Sequence, residues 1–69
     1  MSSSADESLA RAEELLARLE ATRSELERLT EENDPDRALE VLGQLSELAK
    51  EVEDALERAR RAGEADANA

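Results

Sequence analysis

Carboxylates are the groups present in numbers that could do chemistry: the 69 residues hold 19 Asp and Glu against nine Lys and Arg. Two converging carboxylates can divide general acid and base work, or share a metal ion. The adjacent pairs are Glu13-Glu14, Glu31-Glu32 and Glu53-Asp54. Neighbours on a helix point about 100° apart, so an adjacent pair does not converge on one ligand. A helical di-iron centre uses Glu-x-x-His, and the chain has no histidine. Ser24 and Ser46 therefore lack a base to activate them, and there is no cysteine to act as nucleophile. Gly43 has no glycine-rich phosphate loop around it; it reads as a close-approach position or a tolerated weak spot. The carboxylates read as solvated helix surface. No catalytic, cofactor-binding or metal-binding residue is expected, and the chain is read as a non-enzyme.

What holds these charges in place is helix. There is no Phe, Tyr, Trp, Cys or His, while 39% of residues are hydrophobic, and that balance belongs to long helices and coiled coils, not to sheets. The net charge of −10 opposes contact with phosphate backbones and with anionic membranes. No apolar run approaches the roughly 20 residues that span a bilayer. Met1-Ser2-Ser3-Ser4 lacks the features of a signal peptide, so the expected location is cytoplasmic.

Residues 1–5 are expected to be a flexible tail, although Ser4 and Glu7 have capping-box spacing. From residue 6 to 32 the stripe Ala12, Leu15, Leu19, Thr22, Leu26, Leu29 alternates in threes and fours, widened by Leu9 and Leu16. Glu7 with Arg11 and Glu14 with Arg18 stand four apart, acid first, each pair worth about 0.2–0.5 kcal/mol. Glu31-Glu32-Asn33-Asp34-Pro35 breaks the pattern with turn residues and a proline. A second helix is expected over 35–62, with Asp34 as its cap and Pro35 at its first position. Its seam reads Ala38, Leu42, Leu45, Ala49, Val52, Leu56, Ala59. Arg58, Arg60 and Arg61 suit its C-terminal end, Gly63 is expected to terminate it, and 63–69 to be a flexible tail. The fold class predicted is all-α: an antiparallel, coiled-coil-like helical hairpin associating into a helical bundle.

The string Ala38-Leu39-Glu40-Val41-Leu42, then Leu48-Ala49-Lys50, then Leu56-Glu57-Arg58-Ala59 is similar to the second helix of the small subunit of bacterial exodeoxyribonuclease VII. The first helix resembles that family in outline, with Leu29 at its final leucine. The chain departs where the family has a leucine-glutamate-x-glycine turn, here Leu29-Thr30-Glu31-Glu32. The family's mid-helix glycine falls on Leu45, whereas the glycine here is Gly43. The resemblance implies a non-catalytic accessory subunit that binds a larger, nuclease-bearing subunit. The residues by themselves leave open a stand-alone, self-associating scaffold or adaptor with no nuclease link.

The expected hairpin core pairs Leu15, Leu19, Leu26 and Leu29 with Leu42, Leu45, Val52 and Leu56. The second helix then has apolar residues to spare. Val41, Leu48 and Ala55 are expected at an intermolecular contact, with Leu39 at its margin. The expected partners are a second copy, a dimer being favoured, and/or a larger protein subunit.

Overall fold

The structure is a computed structural model that describes the backbone of residues 4–68 and side chains through residue 65. Two helices, α1 (Ser4–Glu31) and α2 (Pro35–Asn68), pack along each other as an antiparallel hairpin, with no strand among the described residues. No helix is long and apolar enough to cross a membrane among the described residues.

The reversal is built from backbone hydrogen bonds that close the end of α1. Asn33 takes a left-handed conformation, φ 60°. Its N–H donates to the Thr30 carbonyl at 3.1 Å, and the Asp34 N–H donates to the Leu29 carbonyl at 3.0 Å. That is the Schellman pattern, with asparagine in the position glycine usually holds. The chain then starts α2 at once. The Asp34 side chain accepts the Arg37 N–H at 3.3 Å, the Asp34 carbonyl accepts the Ala38 N–H at 3.0 Å, and Pro35 occupies the first helical position. A β-branched residue cannot tolerate a left-handed backbone. Asn33→Val is therefore expected to lower stability by about 1–2 kcal/mol, whereas Asn33→Gly keeps it; urea unfolding of both variants checks this.

Both outer ends run further than expected. Of the anticipated N-terminal tail, residues 1–3 lie outside the described residues, and Ser4 and Ala5 are already helical. Gly63 does not terminate α2, which continues to Asn68; Ala69 lies outside the described residues. Gly63 has no positive φ, and Ala65 and Ala67 beyond it are strong helix formers.

The hairpin measures 54 × 17 × 11 Å, a slab one helix layer thick. Burial is therefore confined to the line where the helices touch. Ala12, Leu15 and Leu29 of α1 and Val41, Val52 and Ala55 of α2 are buried there. Ala12, Leu15, Val52 and Ala55 form one cluster, with Leu48 packed against it. Gly43 faces away from this line, exposed, and an added Cβ would meet nothing within 4 Å. The close-approach role is thereby set aside. Gly43→Ala is expected to raise stability by about 0.8–1 kcal/mol, measurable as a higher melting temperature.

Candidate interaction face

The hairpin seam uses a different face of α2 from the one expected. Three columns of α2 recur every seven residues: 38, 45, 52, 59; 41, 48, 55, 62; and 42, 49, 56. The first serves in both arrangements. Expected beside it was the column of Leu42 and Leu56, which instead stand 46% and 44% exposed. Found beside it is the column of Val41, wholly buried, Leu48, half-buried, and Ala55, buried. Val41, Leu48 and Ala55 thus pack inside the hairpin and are not the free strip they were expected to form. Leu39, expected at the margin of an intermolecular contact, is solvent-facing in the hairpin, at 68% the most exposed large hydrophobic residue among those described. Within the expected core, Leu15, Leu29 and Val52 are buried and Leu19, Leu26 and Leu45 half-buried, while Leu42 and Leu56 are corrected to surface positions. The physical reason is fit: small side chains at Ala12, Val41 and Ala55 let the two helices close up on each other.

The two flanks of the seam differ in chemistry. At about 100° per residue, Leu9 and Leu16 of α1 fall on the same flank as Leu42, Ala49 and Leu56 of α2. Leu9 and Leu16, like Leu42 and Leu56, are close to half exposed. Near the turn this flank opens into an apolar groove of about 390 Å³, lined by Leu26, Leu29, Pro35, Ala38, Leu39 and Leu42. The opposite flank is ionic. Arg37 reaches across to Glu25 at 3.8 Å, and Arg11, Arg58, Glu51 and Asp54 border the shallow groove over Leu15 and Ala55. Leu9 and Leu16 had been read as a widening of the first stripe. Their seven-residue spacing, matched by Leu42, Ala49 and Leu56, is the signal that marks a second face.

The charges form short ladders along each helix. Glu14 accepts from Arg18 at 2.9 Å and from Arg11 at 3.1 Å. Arg23 bridges Glu20, at 2.5 Å, and Glu27. Arg60 bridges Glu57, at 2.6 Å, and Glu64, at 2.5 Å, and Arg61 adds a second donor to Glu57. The hydrogen bond from Arg23, then its charge, holds the Glu20 carboxyl below the ordinary range. The hydrogen bond from Arg60 does the same for Glu57, against partial desolvation that pushes the other way. Arg23 and Arg60 are correspondingly raised. Both carboxyls are lowered in the folded state, so their contribution is present at neutral pH and is lost as pH falls through the lowered pKa values. All these groups are solvated, and exposed pairs of this kind each add little to holding the slab together.

Among the described residues no three carboxylates come close enough to hold a metal ion. Ser24 and Ser46 are exposed on the helix surface. Fold and face define an antiparallel helical hairpin with one apolar flank and one ionic flank. No protein-family model matches the chain, and neither the curated proteins nor the solved structures contain a match.

Proposed function

We propose that this chain is a non-catalytic helical interaction protein, whose activity is to pack its leucine flank against another helical surface. One observation carries the proposal. The hairpin completes its own seam with small residues and leaves Leu9, Leu16, Leu42 and Leu56 half exposed along a single flank, with Leu39 beside them. Large apolar side chains left half in water along one flank, interrupted at Arg23 in the column of Leu9 and Leu16, suit a site of association.

The test is a variant carrying Leu42→Glu and Leu56→Glu. Both positions are already partly in water, so the hairpin remains helical by far-UV circular dichroism. Binding of an apolar dye such as anilinonaphthalene sulfonate, and association with any helical partner, is expected to fall to background. Unchanged dye binding and association in that variant would remove the flank from the function.

A second reading draws on the likeness to the nuclease small subunit, in which a larger nuclease-bearing subunit covers the same flank. What favours it is that Leu39, Leu42 and Leu56 of the resembling string are all at the surface, with Leu39 and Leu42 lining the groove. Co-purification with such a subunit, lost on Leu39→Glu, is the result expected of it.

A further inference from the structure

We infer that the occupant of the leucine flank is a second copy of this chain, laid antiparallel so that the turn of one hairpin meets the open end of the other. The inference rests on the interaction-protein proposal and names the partner.

Area is the first argument. The chain exposes 5155 Å². A compact monomer of 7.6 kDa exposes about 4,300 Å² by the usual scaling of surface with mass. The excess, roughly 850 Å² spread over the whole elongated surface, is of the size that one partner contributes to a standard-sized protein interface, about 800 Å². A slab one helix layer thick reaches ordinary two-layer burial by stacking once on itself, with Leu16, Leu42, Ala49 and Leu56 becoming the centre of a four-helix bundle.

Charge sets the direction. Residues 20–49, the turn half, carry nine carboxylates against three arginines, a net of −6. Residues 4–19 and 50–65, the open half, carry nine carboxylates against six basic residues, a net of −3, with Arg58, Arg60 and Arg61 near the tip. Two copies side by side in the same direction would stack one −6 half on the other. The antiparallel arrangement sets each −6 half against the less acidic, arginine-bearing end and keeps the two turns at opposite ends. Attraction between leucines is indifferent to direction; the repulsion is not.

The experiment uses the full chain. Sedimentation equilibrium at tens of micromolar should return a dimer, monomeric once Leu42→Glu and Leu56→Glu are introduced. Raising the salt should tighten the dimer, because long-range forces between two chains of net charge −10 are repulsive and are screened. The absence of native cysteine allows one spin label at Asp36→Cys, on the exposed first turn of α2. Asp36 lies 14 residues, about 21 Å at ~1.5 Å per residue, from the mid-level of the hairpin. Electron–electron double resonance should therefore read about 40 Å for antiparallel copies and under about 25 Å for parallel ones. The short distance, or a monomer at these concentrations, overturns the inference. A monomer that still binds the apolar dye through Leu42 and Leu56 leaves the interaction proposal standing, while one that binds none removes both.

Discussion

Val41→Asp is expected to unfold the hairpin, and Leu42→Asp, one residue further on, to leave it folded. Val41 has no solvent exposure, whereas Leu42 is 46% exposed. A carboxylate at 41 would be placed between two helices with no cation assigned to it. Leaving an unpaired charge in such a place costs at least about 3 kcal/mol, to which the lost packing of valine adds. A core of this size seldom supplies more than about 3–5 kcal/mol, so the variant should lose its helical circular dichroism at room temperature. At 42 the carboxylate reaches water, and the hairpin loses under about 1 kcal/mol. The contrast reads out the facing of α2 directly. Should Leu42→Asp unfold the chain while Val41→Asp is tolerated, α2 is turned by one position from the arrangement described.

The next largest effect is expected at Leu15→Ala, about 2–5 kcal/mol. Leu15 is 2% exposed and is the largest member of the cluster it forms with Ala12, Val52 and Ala55. Its neighbours Ala12 and Ala55 end at Cβ and cannot swing into the space that is left, which puts the loss in the upper half of that range. Leu16→Ala should cost under about 1 kcal/mol, since Leu16 is 44% exposed in the single hairpin. Urea denaturation of the two variants, carried out where the chain is monomeric, separates them by the shift in midpoint at constant slope.

The two helices and the reversal between them were legible because local chemistry dictates them. Asn33, Asp34 and Pro35 each have a stereochemical reason to stand at a helix end, and the structure uses all three. Leu15 and Leu29 were legible as core because α1 offers one continuous stripe. The inward face of α2 was not. Its columns headed by Ala38, Val41 and Leu42 are all apolar at heptad spacing, and any two adjacent ones satisfy the alternation of three and four. Choosing between them needs the azimuth at which the turn delivers α2, a three-dimensional quantity that periodicity does not contain. The seam was expected on the column of Leu42 and Leu56, whereas the hairpin closes on Val41 and Ala55 and leaves those leucines at the surface. Gly63 misled for a related reason: glycine permits a helix to end and does not compel it.

Over the described residues α1 runs for 28 residues and α2 for 34, and where the two lie alongside each other sets how firmly each backbone amide is held. Leu15 and Val52 lie in one cluster with Ala12 and Ala55, so levels on the two helices pair at a constant sum and Ser4 stands level with Gly63. Up to Ala62, opening a turn of α2 means parting it from α1. Past Gly63 no described residue of α1 stands alongside, and a turn there is secured by its own hydrogen bonds and the Arg60–Glu64 ion pair, which in so short a segment are close to balanced by chain entropy. Amide hydrogen exchange in α2 should thus be slow around Val52 and change steeply across Ala59 to Glu64, with glycine marking the step. The last turns then behave as a hinge-free extension that can be lengthened, labelled or fused to another domain without disturbing the seam.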